Sequence, residues 1–308
     1  MNQSSDSVDA QLQGNDMTGR VGPSPRPEEP LIAADTVDGP AGPVPVRVYT
    51  PAEPSGVGFV WAHGGGFTWG DLDMPEAHDV ACGLARRGIA VVSVDYHRAP
   101  VAGLWLDSGV RPRPGVHAPI PALDVQAAYV WAVSRVPGVD VWALGGASAG
   151  GNLAASTALR LGLDGGLRPA LVVLAYPTLH AVQPEPSAEL RAVLASDPES
   201  NEFDAARSAA MYANYVGDGE ADVFAAPGMA GADELRSFPP TLVLNSEADA
   251  LRASGEAFAA ALSDAGVAVE LAMEAGARHG HLSRPEEAAW TRSLKLIARR
   301  LLALTREA

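Results

Sequence analysis

Short runs of β-branched and other apolar residues alternate along most of the chain with longer segments of helical periodicity. The apolar runs lack the alternation of a strand exposed on one face, which indicates strands buried on both faces of a parallel sheet. The predicted strands are residues 45–50, 57–63, 89–96, 139–146, 170–177, 240–247 and 267–274. The predicted helices are residues 75–87, 121–136, 149–161, 252–265 and 285–304. This order of elements predicts an α/β fold with a doubly wound, mostly parallel sheet.

The composition indicates a large apolar core and an acidic surface. The 308 residues are 47% hydrophobic and 19% charged, which suits a folded domain. A formal net charge of −15 disfavours nucleic acid and anionic membrane surfaces as partners. No apolar run approaches the roughly 18 residues needed to cross a bilayer, and the amino terminus lacks the features of a secretory signal. We expect a soluble, cytoplasmic protein.

The first 30 residues differ in composition from the rest of the chain. They are polar and then proline-rich, so we expect a flexible tail ahead of an α/β domain over residues 31–308. Cys82 is the single cysteine, which excludes an intramolecular disulfide and a cysteine-rich metal site. We expect neither a cofactor nor a metal.

Two internal segments interrupt the alternation of strands and helices. Residues 98–119 are rich in proline and glycine, and residues 180–237 contain weak helical patterns without a strand. Long segments of this kind in a compact domain often cover a binding site. We expect both to form a helical cap, in which Trp105, Tyr212 and Tyr215 contact a substrate.

Small residues surround one serine in the sequence GGASAGGN, residues 145–152. The pattern G-x-S-x-G around Ser148 follows a predicted strand and precedes a predicted helix. This context is typical of a nucleophile elbow, in which a sharp turn exposes the serine hydroxyl. The alternative is a tight turn with an incidental serine.

A second cluster of glycines follows the strand at 57–63, in the sequence AHGGGFTWGD. Consecutive glycines let backbone N–H groups face a ligand, as acyl transfer requires for its oxyanion. We predict Gly64, Gly65 and Ala149 as oxyanion donors, and Phe67 and Trp69 as substrate contacts. A phosphate-binding loop is the alternative, but the lysine or G-x-G-x-x-G frame of such loops is missing.

An acidic residue that serves a nucleophilic serine in this fold class is expected after a late strand, at the carboxyl edge of the sheet. Asp249 follows the predicted strand at 240–247. Glu247 is the alternative but falls on the strand, and Asp264 lies far along the next helix.

Two histidines, His279 and His281, precede the last predicted helix. Ser283 and Glu286 form a capping-box pattern that predicts the start of this helix, with Pro285 in its first turn. His281 would then lie close to the cap. His279 lies farther out, between glycines that let its ring reach the sheet edge. We therefore predict His279 as the base, and His63 as a residue that orients the glycine cluster.

These motifs together resemble the hormone-sensitive-lipase-like (bacterial family IV) carboxylesterases. The similarity lies in HGGG, then G-x-S-A-G-G, then E-x-D-x-L-R after a strand, and HG before the last helix, and it covers about residues 37–305. The resemblance implies an α/β-hydrolase fold with Ser148 as nucleophile, Asp249 as acid and His279 as base.

The chain departs from this family in a few places. Ala147 stands immediately before the serine, where the family usually has aspartate. The segment 98–119 is an insertion after the family's Y-R-L-A-P position, and the tail shows no recognisable cap helices. These departures concern the surroundings of the site and its substrate choice.

The reaction that the motifs favour is hydrolysis of short to medium acyl esters through an acyl-enzyme. An amidase, a lactonase or a biosynthetic deacylase would use the same residues and stays an alternative. A non-catalytic ligand-binding relative is disfavoured, because all three residue types of the triad are present. We expect a small-molecule ester as the partner, with a homodimer as one candidate assembly.

Overall fold

An eight-stranded sheet runs through the part of the chain that the computed structural model describes, residues 29–103 and 111–306. The strands are β1 (Leu31–Gly39), β2 (Gly42–Thr50), β3 (Val57–Ala62), β4 (Ala90–Val94), β5 (Val141–Ala147), β6 (Val172–Ala175), β7 (Thr241–Ala248) and β8 (Val269–Arg278). Their order in the sheet is β1-β2-β4-β3-β5-β6-β7-β8. Strand β2 is antiparallel to both neighbours, whereas β4, β3, β5, β6, β7 and β8 pair in parallel.

Helices cover both faces of this sheet. They are α1 (Pro75–Ala85), α2 (Ile120–Arg135), α3 (Ala149–Leu163), α4 (Ala188–Ser196), α5 (Ala205–Val216), α6 (Ala232–Leu235), α7 (Arg252–Asp264) and α8 (Ala288–Ala303). Helices α1 and α8 pack into one apolar core, and α2, α3 and α7 pack into the other. The doubly wound α/β prediction is confirmed. Within the described ranges, no helix has both the length and the apolar composition needed to span a membrane.

Each predicted strand coincides with one of β2 to β8, but β1 was not expected from the sequence. It pairs with β2 at the edge of the sheet, and Val37 is its one buried residue. An edge strand with most side chains in solvent needs no apolar periodicity, so the pattern that predicts buried strands does not detect it. Residues 1–28 of the proposed tail (residues 1–30), and residues 104–110 of the 98–119 segment, lie outside the described residues.

The start of α8 differs from the sequence prediction. The helix begins at Ala288 with Glu287 as its N-cap, so the predicted capping box of Ser283 and Glu286, with Pro285 in the first turn, is wrong. Residues 281–283 form a 3₁₀ turn instead. This turn is held from the sheet side, because the Leu282 amide donates to the Tyr176 hydroxyl at 3.2 Å. Tertiary contacts therefore override the local capping pattern.

The connection from β5 to α3 is a sharp turn built on glycines. A methyl group on Gly150 would lie 2.2 Å from the Ala62 carbonyl oxygen and 2.3 Å from that of His63. The first turn of α3 thus lies directly against the end of β3. Between strand and helix, Ser148 has φ 52° and ψ −117°, a conformation that L-residues rarely adopt. Its amide donates to the Ala175 carbonyl at 2.9 Å, which fixes the turn to β6.

We predict that Gly150→Ala destabilises the protein by about 1–3 kcal/mol, because the new methyl group overlaps two carbonyl oxygens. Glycine to alanine within a helix ordinarily stabilises, so the sign of the effect is diagnostic. Gly166→Ala is the matched control, since a methyl group there has 3.7 Å to its nearest neighbour. The free energy of unfolding in urea measures both, and equal stability of the two variants would contradict this account of the turn.

Candidate active site

Three side chains meet at the carboxyl edge of the sheet. Ser148 follows β5, Asp249 follows β7 and His279 follows β8. The His279 Nε2 atom lies 2.9 Å from the Ser148 Oγ atom, and its Nδ1 atom lies 2.7 Å from Asp249 Oδ2. The three residues that the sequence singled out therefore form one hydrogen-bonded chain, with the geometry that proton transfer from a serine to a histidine requires.

Asp249 is held in one orientation. Its Oδ1 atom accepts a hydrogen bond of 2.9 Å from the Leu251 amide, and its side chain is 1% exposed. The alternative acid, Glu247, lies on β7 and accepts from the Gly276 amide at 2.7 Å. Asp264 is an exposed residue at the end of α7, as the sequence indicated.

The surroundings of His279 favour its protonated form. Burial lowers the pKa of His279, but the charge of Asp249 and the hydrogen bond to it, followed by the charge of Glu76, outweigh burial and raise the pKa above the usual 6.5. The ring also contacts two aromatic side chains, Tyr176 at a centroid distance of 5.0 Å and Phe203 at 4.7 Å. These contacts restrict the imidazole to the orientation that its hydrogen bonds require.

His281 lies in a different environment only two residues away. Its ring is buried, with Nδ1 2.9 Å from the Ser246 hydroxyl and Nε2 2.8 Å from the Ser293 hydroxyl. Burial, and next the positive charge of Arg284, lower the pKa of His281 to about 3. The ring is neutral near pH 7, and both nitrogens are bound within the core. The structure thus places His279 beside Ser148 and keeps His281 away from it.

The glycine loop, residues 63–70, lies beside the serine but differs from the prediction in one donor. The Gly64 amide donates to the Glu76 carboxylate at 2.5 Å, so the prediction that Gly64 stabilises an oxyanion is wrong. The amides of Gly65 and Gly66 form no hydrogen bond within the described residues. The amide of Ala149 belongs to the first turn of α3, where helices leave N–H groups without an intrahelical acceptor.

His63 is buried at the start of this loop. Its Nδ1 atom lies 2.7 Å from the Gly64 carbonyl oxygen, and its ring stacks on Tyr96 at 4.6 Å. The Tyr96 hydroxyl donates to the His63 carbonyl at 2.9 Å. These contacts hold His63 within the loop, and its role as the residue that orients the loop stays a prediction.

The aromatic residues predicted to contact substrate have a different role in the structure. Phe67, Tyr212 and Tyr215 are 0–2% exposed, so the prediction of substrate contact is wrong for them. Phe67 stacks on Tyr215 at 3.9 Å, which joins the glycine loop to α5. Trp69 is partly buried within the loop, and Trp105 lies outside the described residues.

Phe203 is a residue of the site that sequence reasoning missed. It is partly buried and its ring lies against His279. Its position in the segment 180–237, near a weak helical pattern, was the available signal, but no periodicity marked this phenylalanine among the apolar residues there.

The two predicted cap segments contact each other and the glycine loop. The Ala118 amide donates to the Tyr215 carbonyl at 2.9 Å. The Asn214 amide group donates to the Pro100 carbonyl at 2.9 Å and to the Thr68 hydroxyl at 3.3 Å. Helix α5 and the described part of residues 98–119 are therefore hydrogen-bonded to each other, and α5 also contacts the loop that carries the candidate oxyanion donors.

Comparison with known proteins gives the family. A family model described as an alpha/beta hydrolase fold matches residues 59–104 and 111–283, which is more than half of the chain. The chain belongs to the α/β-hydrolase family. The matched ranges contain Ser148, Asp249 and His279.

Named esterases are among the relatives of this α/β hydrolase. Carboxylic ester hydrolase LipN of Mycobacterium tuberculosis is 34% identical over 279 residues, which cover 82% of this chain and 66% of LipN. Ethyl acetate hydrolase of Pseudomonas putida is 31% identical, over 77% of this chain and 70% of the relative. The solved structure of a hyperthermophilic esterase from the archaeon Pyrobaculum calidifontis is 30% identical with a TM-score of 0.74, covering 89% of this chain and 84% of that chain. These similarities confirm the resemblance to hormone-sensitive-lipase-like carboxylesterases.

We predict that the two neighbouring histidines of this α/β hydrolase have widely separated pKa values. His279, whose pKa is raised, should gain its proton as pH falls through a value above 6.5, whereas His281 should stay neutral until about pH 3. Imidazole ¹⁵N chemical shifts recorded from pH 4 to 9 should show the His279 transition and a neutral His281 throughout, with His279→Ala and His281→Ala used to assign the signals. A His281 signal that titrates between pH 5 and 8 would contradict the buried, neutral state described above.

Proposed function

We propose that the protein is a carboxylesterase that hydrolyses carboxylic esters of small molecules through an acyl-enzyme. The observation that supports this most directly is the hydrogen-bonded chain of Ser148, His279 and Asp249, with distances of 2.9 and 2.7 Å, at a strained turn. Esterase names among the relatives support the same reaction.

In the first half of the proposed reaction, Ser148 attacks the ester carbonyl. The Ser148 proton passes to Nε2 of His279, which must be neutral to accept it. Asp249 accepts a hydrogen bond from the Nδ1–H group of His279. This bond keeps His279 in the tautomer whose Nε2 atom can accept a proton, and it stabilises the imidazolium that forms. The alcohol then leaves with the proton from His279, and the acyl group stays on Ser148.

The negative charge of each tetrahedral intermediate needs backbone donors. We assign this role to the amides of Gly65, Gly66 and Ala149, because the Gly64 amide already donates to Glu76. In the second half of the reaction, His279 takes a proton from a water molecule, whose oxygen attacks the acyl carbonyl. The bond between the acyl group and Ser148 Oγ then breaks, His279 returns the proton to Ser148, and the carboxylic acid is released.

The cap argues for short to medium acyl chains. Helix α5 is packed onto the glycine loop through Phe67 and Tyr215, and apolar contact near the base comes from Phe203. We propose that this packing of the cap limits the length of acyl chain that the site accepts. The name of the ethyl acetate hydrolase relative, with its two-carbon acyl group, agrees with this size range.

A series of p-nitrophenyl esters from acetate to palmitate tests both the reaction and the size range. The wild type should prefer the short and medium esters, and Ser148→Ala should lower kcat by about 10⁴–10⁶-fold without loss of fold. His279→Ala should also lower kcat by several orders of magnitude. His281→Ala is the matched control and should retain most of the turnover, at lower stability.

Near-normal turnover by purified Ser148→Ala would overturn the proposed nucleophile. If His281→Ala were inactive and His279→Ala active, the proposed base would be wrong. Preference for palmitate, or for emulsified long-chain triglyceride, would overturn the proposed size range and leave the reaction class standing.

A further inference from the structure

Glu76 is a buried carboxylate that the proposed mechanism does not yet use. It lies in the first turn of α1 and is 2% exposed. The amino-terminal end of a helix favours a negative charge, and the indole N–H of Trp61 donates to the Glu76 carbonyl at 2.8 Å, which fixes this turn against β3. A carboxylate enclosed in this way needs hydrogen-bond donors, and the donors come from both sides of the candidate active site.

On one side, Glu76 holds the glycine loop. Its Oε2 atom accepts the 2.5 Å hydrogen bond from the Gly64 amide. A methyl group on Gly64 would lie 2.6 Å from this oxygen and 3.2 Å from the Ser148 Cβ atom. The carboxylate and the serine therefore flank the same glycine. Because the Gly64 amide is turned toward Glu76, the positions of the next amides, those of Gly65 and Gly66, depend on this bond.

On the other side, Glu76 holds the histidine loop, residues 279–284. Its Oε1 atom accepts a 2.6 Å hydrogen bond from the Tyr176 hydroxyl, which in turn accepts from the Leu282 amide at 3.2 Å. The Ser283 hydroxyl lies 3.5 Å from the same Oε1 atom. The Tyr176 ring makes edge contacts with His279, so a shift of the tyrosine would shift the base.

We infer that Glu76 is a positioning residue of the esterase reaction, whose carboxylate fixes the glycine loop and the histidine loop to each other across Ser148. The inference rests on the proposed function, since it concerns the rate of that reaction. The Glu76 carboxylate would thereby set the distance between the oxyanion donors and His279. Misplacement of reacting groups by about 1 Å can lower a rate on the order of 100-fold.

The charge of Glu76 also acts on His279 directly. The charged and titratable groups that face His279 from the surrounding elements are Asp249, Glu76, Glu202, Tyr176, His281 and Arg284. Burial lowers the pKa of His279, Asp249 raises it most strongly, and Glu76 and Glu202 raise it further. Removal of the Glu76 charge should therefore lower the pKa of His279, which a purely structural role of Glu76 would not do.

Glu76→Gln tests the inference, because it keeps the size of the side chain and removes the charge. Asp124→Asn is the matched control, since Asp124 is also fully buried and its Oδ2 atom is hydrogen-bonded to His97, which lies outside both the glycine loop and the histidine loop. Steady-state hydrolysis of p-nitrophenyl butyrate from pH 5 to 9 gives kcat, KM and the acid limb of kcat/KM. Circular dichroism and thermal unfolding confirm that each variant is folded.

We expect Glu76→Gln to lower kcat by about 10- to 100-fold with little change in KM, because the loops act on the transition state more than on the bound ester. The acid limb should move to lower pH than in the wild type. Asp124→Asn should keep both the wild-type kcat and the wild-type acid limb. Wild-type kcat and an unmoved acid limb in Glu76→Gln, or equal changes in both variants, would overturn the inference.

Tyr176→Phe keeps the inference testable if Glu76→Gln does not fold. This variant removes the hydroxyl between Glu76 and Leu282 and leaves the Glu76 charge in place, so kcat should fall while the acid limb stays. Full kcat in a folded Tyr176→Phe would overturn the link to the histidine loop. Failure of the proposed function is recognised separately, because the wild-type protein itself would then hydrolyse none of the esters.

Discussion

The close approach of α3 to the end of β3 is the contact on which the whole site depends. With no side chain on Gly150, the first turn of the helix lies against the carbonyls of Ala62 and His63. The chain can make this approach only by reversing direction at Ser148, in a backbone conformation that costs on the order of 1–3 kcal/mol. The same approach brings the glycine loop, which begins at His63, next to the serine hydroxyl. The proposed nucleophile, Ser148, and the proposed oxyanion donors are thus placed by one packing constraint.

The arrangement of Ser148, Asp249 and His279 could be predicted because it depends on local features of the sequence. Parallel strands buried on both faces are recognisable as apolar runs, and their carboxyl ends meet at one edge of the sheet. Ser148 and Asp249 each follow such a run within a few residues, and His279 follows β8, an edge strand that the sequence also predicts. Small residues on both sides of Ser148 are also a local signal, since a sharp turn between strand and helix leaves no space for larger ones.

Features that depend on distant partners could not be predicted in this way. Three glycines in a row cannot be told apart from the sequence. The Gly64 amide is occupied only because it donates to the carboxylate of Glu76, twelve residues away. Ser283 has the local pattern of a helix cap, but the turn that contains it is bound to Tyr176 through Leu282. Phe67 and Tyr215 were expected to face substrate, yet they stack on each other inside the core. Edge strand β1 buries only Val37 and lacks the continuous apolar run that marks the inner strands.

The most direct test of this account is a crystal structure of the protein after reaction with diethyl p-nitrophenyl phosphate, which mimics the tetrahedral intermediate. We predict a phosphoryl group on Ser148 Oγ, with its oxygen about 2.7–3.1 Å from the amides of Gly65, Gly66 and Ala149. The Gly64 amide should still donate to Glu76. A phosphoryl group on another residue, or a phosphoryl oxygen bound by the Gly64 amide with Glu76 displaced, would contradict the account.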